Sequence, residues 1–355
     1  TVAGAARRGR AAHGMKVLAL FGLLLLAACA RQVPADISAS QLPRLDEGAV
    51  VARDGHRLPL TVWRPNGPVR AVVVALHGMN DYANAFALPA PWWAERGIAT
   101  YAYDQRGFGR GQGRGVWPGA TALIGDLNDA VRAIRAEQAD VPLYLFGESM
   151  GGAVILAALA EPARPAVDGV ILSAPAVWGR QMMNPMLRTL LDITSALFPG
   201  GTVTGQGIYV QASDNIEVLR ALGRDPMVIK ATRSDSVEGL VALMGRAFDA
   251  APTLPRLPLL LLYGRRDEMI PRGPVEKFVE EVLVPRRVAV YPDGWHLLLR
   301  DRQAPKVWAD IAAWMADPQA ALPSGAERTG APLFPPRPPP LWLTAPENRR
   351  PHLDR

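Results

Sequence analysis

The chain is short of cysteine, of net charge and of apolar runs long enough to span a bilayer, and each shortage removes a class of protein. Cys29 is the only cysteine in 355 residues, so no intramolecular disulfide can form. Formal net charge is +6, but Arg7, Arg8, Arg10 and Lys16 all precede Cys29 with no acidic residue among them, which leaves +2 for the rest. That balance does not suit a nucleic-acid-binding surface. The run Val17 to Ala28 is apolar but too short to cross a bilayer in the usual way. The glycine- and arginine-rich stretch Arg106 to Arg114 lacks both the Lys-Ser/Thr of a P-loop and the G-x-G-x-x-G spacing, so nucleotide binding is discounted. Histidine is scarce too: His13, His56, His77, His296 and His352 are all there are.

What is present is a hydrophobic content of 49%, enough for a large core, in a length that fits one α/β domain carrying an insertion. The chain centres on Val141-Pro-Leu-Tyr-Leu-Phe-Gly-Glu-Ser-Met-Gly-Gly152. Leu143 to Phe146 reads as a buried strand, Gly147 to Gly151 spells G-x-S-x-G, and Ala153 to Ala160 continues as an apolar helix. Strand, sharp turn and helix form the context in which that pentapeptide presents a nucleophile. The turn strains Ser149 and lifts its hydroxyl above the sheet. Gly147 and Gly151 leave out side chains where strand and helix crowd together. The helix N-terminus adds positive potential where an oxyanion forms.

A nucleophilic serine needs a base, and the base needs an acid to orient it. His13 lies in a leader and His352 in a tail, His56 follows the Asp54-Gly55 turn, and His77 precedes the serine. His296 comes late, after a short strand, as the order Ser, Asp, His requires. The acid is expected just past the strand before it, Pro258 to Gly264. Asp267 is the choice there, with Glu268 a near rival and Asp293 another, only three residues before His296.

These pieces resemble the α/β-hydrolase superfamily and, within it, the monoacylglycerol lipase and lysophospholipase-like serine hydrolases. The resemblance is carried by His77-Gly-Met-Asn80, Asp104-Gln-Arg-Gly-Phe-Gly109, Gly147-Glu-Ser-Met-Gly151, Asp225-Pro226, Gly264-Arg-Arg-Asp267 and Gly294-Trp-His296, in the family's order. It implies an α/β-hydrolase fold: a mostly parallel sheet flanked by helices, with an inserted helical cap. It also implies the backbone N–H groups of Met79 and Met150 as oxyanion donors, and it makes His77 a loop residue and not the base. The α/β alternation stops over about 176–252, so this stretch is expected to be the cap and to be helical without buried strands. It is rich in flexible apolar side chains, among them Trp178, Met183 and Phe198. Met182, Met186 and Met244 are the candidates for contact with an acyl chain, against the plainer expectation that they pack the cap onto the core.

Toward the start, Met15-Lys16 opens a fresh signal pattern after a basic stretch, which makes Met15 a candidate start. Leu26-Ala27-Ala28-Cys29 resembles the bacterial lipobox, whose cysteine becomes the lipidated N-terminus after cleavage. The expected organisation is a leader and signal peptide over 1–28, a tether over 29–45, and a hydrolase domain over 46–320. A Pro-rich disordered tail is expected over 321–355. The expected location is the bacterial cell envelope, with Cys29 anchoring the protein to a membrane on its periplasmic face.

The activity to expect is hydrolysis of a carboxylic ester, of monoacylglycerol or lysophospholipid kind, through an acyl-enzyme on Ser149, with no metal or organic cofactor. The expected partners are a small lipid or ester substrate and a membrane, with no nucleic acid. The alternatives are a peptidase of proline-iminopeptidase type, acyl transfer on the same triad, and a non-catalytic lipid-binding lipoprotein. Acyl length, head group and oligomeric state stay open.

Overall fold

The computed structural model describes residues 41–204, 210–329 and Phe334; Cys29, the leader and the run Pro335 to Pro340 lie outside them. The chain runs through β1 (Arg44–Asp46), β2 (Ala49–Val51), β3 (Arg57–Trp63), β4 (Ala71–Leu76), β5 (Ile98–Tyr103), β6 (Leu143–Glu148) and β7 (Gly169–Ser173). After these come β8 (Thr202–Thr204) and β9 (Ala231–Arg233), then β10 (Leu259–Gly264) and β11 (Arg286–Tyr291). Nine of these strands form one sheet in the order β1-β2-β3-β5-β4-β6-β7-β10-β11. The pairings from β1 to β5 are antiparallel and all those beyond are parallel.

The parallel strands are continuous apolar runs because both faces of the sheet are covered. In β4, Val72, Val74 and Leu76 enter one core while Ala71, Val73 and Ala75 enter the other. Successive side chains of a strand point to opposite faces, so β6 and β10 divide in the same way. Helices α1 (Pro89–Ala94), α2 (Ala120–Glu137), α3 (Met150–Leu159), α4 (Pro185–Leu197), α5 (Ile216–Arg224), α6 (Ser234–Asp249), α7 (Arg272–Glu281) and α8 (Ala304–Ala316) complete the fold. Apolar residues of α2, α3, α6 and α7 fill the first core, and those of α1 and α8 the second. From β4 the chain steps to β5 on one side, then returns to lay β6 on the other. In open α/β sheets ligands bind at such a switch point, beyond the carboxyl ends of the strands.

Three expectations need correction. The tether is ordered before residue 46: Gln41 donates its N–H to Arg53 O, and β1 pairs with β2. The stretch 176–252 is not purely helical, for β8 and β9 pair antiparallel in it, although Thr202–Thr204 are exposed and so left no buried-strand pattern. The tail does not begin at 321. Leu322, Ala326 and Phe334 are buried, and Phe334 meets the Tyr263 ring edge-on at 5.4 Å. The reason lies in β11, an edge strand whose open backbone groups need partners. Val290 N–H donates to Ala326 O at 2.9 Å and Arg328 N–H to Val288 O at 2.8 Å, while Arg287 pairs with Glu327.

Candidate active site

Ser149 sits between β6 and α3 with φ +52° and ψ −114°, a conformation rare for any residue with a side chain. The surroundings hold it there. Its N–H donates to Ser173 O at 3.0 Å, and its carbonyl accepts from Ala176 at 3.0 Å and Ala153 at 3.2 Å. The crossing of strand and helix leaves no room for side chains at the flanking glycines. A Cβ on Gly147 would lie 2.5 Å from Gly152 N, and one on Gly151 would run into the Leu76 carbonyl.

Two backbone segments flank the serine. Met150 is the first residue of α3 and fully buried, and an N–H in a helix's first turn has no partner within the helix. The other segment is the loop His77-Gly78-Met79-Asn80 after β4. A Cβ on Gly78 would lie 3.4 Å from the Ser149 Cβ, so this loop passes directly over the nucleophile. Asn80 has φ +66° and ties the loop to the insertion. Its carbonyl accepts from Ile229 N–H at 2.9 Å, and its side-chain amide donates to Thr232 Oγ1 at 2.7 Å. Between loop and insertion runs a narrow crevice lined by Met79, Asn80, Phe108, Val116, Ile229 and Thr232.

His296, on the loop after β11, and Asp267, on the loop after β10, meet in a bond of 2.8 Å between Nδ1 and Oδ2. Both are buried. Asp267 Oδ1 accepts from the N–H groups of Met269 at 2.7 Å and Ile270 at 2.9 Å, which leaves Oδ2 turned to the imidazole. Burial pushes the His296 pKa down. The charge and hydrogen bond of Asp267, with the charge of Glu148 added, outweigh burial and set it above the ordinary 6.5. The rival carboxylates are engaged elsewhere: Glu268 accepts from Gln211 N–H at 2.8 Å, and Asp293 is exposed and faces Arg266 at 3.4 Å.

His77 is fully buried and its ring is used on both sides. Its Nε2 accepts the Gln105 N–H at 3.0 Å, so Nδ1 carries the proton and donates to Gly78 O at 2.8 Å. Burial pushes its pKa down, in keeping with a neutral ring. His56 stands at the β2–β3 turn, while His13 and His352 lie outside the described residues. Of the arginines after β5, the buried Arg106 pairs with Asp126 at 2.7 Å and Asp54 at 2.8 Å, and the exposed Arg110 with Asp104 at 2.8 Å.

The three methionines of the insertion separate. Met186, on α4, is 79% exposed, Met182 is half-buried, and Met244, on α6, is packed into the main core. Met244 is thus a packing residue, because α6 lies against α3 and Val241, Leu243 and Ala247 are buried with it. The insertion also grips the His296 loop. Leu297 N–H donates to Ala212 O at 2.9 Å, and Ser213 Oγ to Asp301 Oδ1 at 2.6 Å.

One cluster escaped the reading of the sequence. Arg300 is buried and donates Nη1–H to Asp81 Oδ2 and Nη2–H to Glu148 Oε1, each at 2.7 Å. Burial works against its charge, but the two carboxylates hold the guanidinium firmly protonated. Burial pushes Glu148 up, with Arg300 working against that rise. The signal was an arginine placed straight after the apolar run Leu297-Leu-Leu299, where burial demands a partner. Among the described residues, no group of three or more His, Cys, Asp or Glu could hold a metal ion, and no helix is long and apolar enough to cross a membrane.

The chain is similar to the monoacylglycerol lipase of Mycolicibacterium smegmatis, 26% identical over 264 residues, which cover 74% of this chain and 93% of that protein. It is similar to the monoglyceride lipase of Mus musculus at 26% over 306 residues, 83% of this chain and 97% of that one. In fold it matches a soluble variant of monoglyceride lipase from Saccharomyces cerevisiae in complex with a substrate analog. The TM-score there is 0.64 at 18% identity, over 80% of this chain and 98% of that one. The family described as serine aminopeptidase, S33, matches residues 67–303, which run from before β4 past His296. With more than half of the chain matched and this sheet beneath it, the protein is an α/β-hydrolase belonging to that serine aminopeptidase family.

Proposed function

We propose that the chain is a serine ester hydrolase of monoacylglycerol lipase type, cleaving esters of monoacylglycerol or lysophospholipid kind through an acyl-enzyme on Ser149. The observation that carries this reading is the buried 2.8 Å bond between Asp267 and His296, at the same end of the sheet as the strained Ser149. Relatives named as monoacylglycerol and monoglyceride lipases support the substrate class.

Ser149 Oγ attacks the ester carbonyl carbon while His296 Nε2 takes its proton. Asp267 keeps the Nδ1–H bond, holding the tautomer and steadying the imidazolium, and is not itself protonated. The N–H groups of Met79 and Met150 receive the oxyanion. As the tetrahedral intermediate collapses, His296 returns the proton to the leaving alcohol. Water then attacks the acyl carbon, losing a proton to His296; as the second intermediate collapses His296 returns that proton to Ser149 Oγ, and the carboxylic acid leaves.

A lipid substrate fits the insertion. Met186, Leu190, Ile193 and Leu197 recur at helical spacing along α4 and are all at least half exposed, an apolar stripe in water. Each CH₂ of an acyl chain buried against such surface contributes about 0.8 kcal/mol. Peptidase chemistry, the family's namesake, is the second reading. An aminopeptidase needs an acceptor for the substrate's ammonium, but the two buried carboxylates beside the oxyanion loop and elbow, Asp81 and Glu148, both bond Arg300. We also infer that lipidated Cys29 tethers the enzyme to the periplasmic face of a bacterial membrane. Two acyl chains anchor stably where one binds only marginally.

The experiment is a hydrolysis panel of p-nitrophenyl esters from C2 to C12, monoacylglycerols, lysophospholipids and aminoacyl anilides. The expected result is kcat/KM rising with acyl length and no turnover of anilides. A preference for acetate, or for N-terminal proline amides, would reject the lipase reading.

A further inference from the structure

The parts that must cooperate in this reading come from separate strands: Met79 after β4, Ser149 after β6, and His296 after β11. One side chain touches the neighbourhood of all three. Arg300 is four residues beyond His296, Asp81 is two beyond Met79, and Glu148 immediately precedes Ser149. The guanidinium bonds both carboxylates at 2.7 Å, and the three side chains are 5%, 11% and 2% exposed. Each carboxylate is anchored on its own segment. Asp81 N–H reaches back to Gly78 O at 3.3 Å and its Oδ1 accepts from Tyr82 N–H at 2.9 Å, while Glu148 is the last residue of β6, in register with Ser173.

Stability alone is a poor reason for such a cluster. Desolvating buried ions costs several kcal/mol each, and well-packed apolar side chains commonly do as well or better. Among the described residues Glu148 Oε2 and Arg300 Nε find no further partner, so the two ion pairs hold the cluster. The cluster therefore needs a reason beyond stability. Its geometry offers one: a planar guanidinium presents two donors at a set angle, so it fixes the separation of the two groups it binds.

We propose that Arg300 is a positioning residue of this enzyme, its guanidinium setting the spacing of oxyanion loop, nucleophile elbow and base loop by binding Asp81 and Glu148 at once. The proposal rests on the acyl-enzyme reading of Ser149. Arg300 does not touch the substrate; it acts through the backbone of Met79 and Ser149. A second effect follows from charge. The charged groups acting on His296 are Asp267, Glu148 and Arg300, and the first two favour the imidazolium while Arg300 opposes it. Glu148 therefore moves the pH at which the base becomes available.

The test uses the full chain with Arg300→Lys and Glu148→Gln, beside wild type and Ser149→Ala, with folding checked by circular dichroism and thermal melting. A lysine keeps the buried charge but not the fork. A misplacement of about 1 Å costs on the order of 100-fold in rate, so Arg300→Lys should lose about 10- to 100-fold in kcat on a p-nitrophenyl ester with little change in KM. Fluorophosphonate labelling of Ser149 should slow in step. Glu148→Gln still accepts from Arg300 but removes a negative charge near His296, so the acid limb of kcat/KM should move to lower pH. Folded Arg300→Lys with kcat within about twofold of wild type would overturn the proposal. If Arg300→Lys does not fold, Asp81→Ala decides, because it frees the oxyanion loop from the guanidinium; a folded Asp81→Ala with kcat within about twofold of wild type overturns the proposal. Failure of the underlying reading looks different: Ser149→Ala would then hydrolyse the ester as wild type does.

Discussion

Helices α3 and α4 are both rich in apolar residues, and the fold uses them in opposite ways. Every residue of α3 is buried, whereas in α4 only Leu191 and Ser195 are. Helix α3 lies within the core between sheet, α2 and α6, directly behind Ser149, so its apolar side chains are matched on all sides. Helix α4 rides on the insertion with Met186, Leu190, Ile193, Leu197 and then Phe198 turned out to solvent. The lesson is a division of labour. The half of the molecule that holds the nucleophile is packed to fix one geometry. The half above it keeps apolar surface open, as suits contact with a lipid-like substrate.

Substitutions in the two regions should act very differently. The largest effect belongs to the fixed half. Asp267→Asn should lower kcat about 10,000-fold, because an amide favours the wrong imidazole tautomer. Asp293→Asn, in an exposed carboxylate 3.4 Å from Arg266, should change little. Steady-state kinetics of the two variants check this directly, and the reverse order would move the acid to the other loop. Next comes Leu156→Ala in α3, a fully buried side chain, expected to cost about 2–5 kcal/mol in urea unfolding through transfer and cavity effects.

Activity should also depend on pH. His296 must be neutral to accept the serine proton, and its pKa is raised above the ordinary 6.5, so kcat/KM should fall as pH drops through a value above 6.5. The stability sign runs the other way. The His296–Asp267 pair stabilises the fold fully below the unfolded histidine pKa, and that contribution is lost as pH rises through the raised folded value. An acid limb below 6.5 would contradict the balance of burial and charge described for this histidine. The smallest stability effect is expected on α4. Leu190→Ser, in a residue 57% exposed, should shift unfolding by within about 0.5 kcal/mol. It should nevertheless lower kcat/KM for a C12 ester more than for acetate. Equal losses on both esters would mean the stripe does not meet the acyl chain.

The same contrast explains what could be read in the sequence. The parallel strands and α3 were legible because burial on both faces writes unbroken apolar runs, and the elbow because Gly147 and Gly151 sit where a Cβ would collide with backbone. Asp267 and His296 followed from chain order, and the structure brings the two together. The insertion was legible only in outline. Strand β8 is exposed and carries no burial pattern, and Met244 and Met186 look alike in sequence although one is core and the other solvent-facing. The C-terminal packing was hidden because Leu322, Ala326 and Phe334 answer to an edge strand and an aromatic ring supplied by earlier segments. Arg300 was hidden for a related reason. Its partners lie 152 and 219 residues away, so the apolar run before it signals burial but does not say which carboxylates meet it.

Catalysis rests most on Ser149 as the nucleophile of a fixed elbow, and one measurement meets this head on: ester turnover and fluorophosphonate labelling of Ser149→Ala against wild type, both shown to be folded. The predicted result is covalent labelling of wild type at Ser149, none in the variant, and a loss of about a million-fold in kcat. Ordinary turnover by folded Ser149→Ala, or labelling of wild type at another residue, would contradict it.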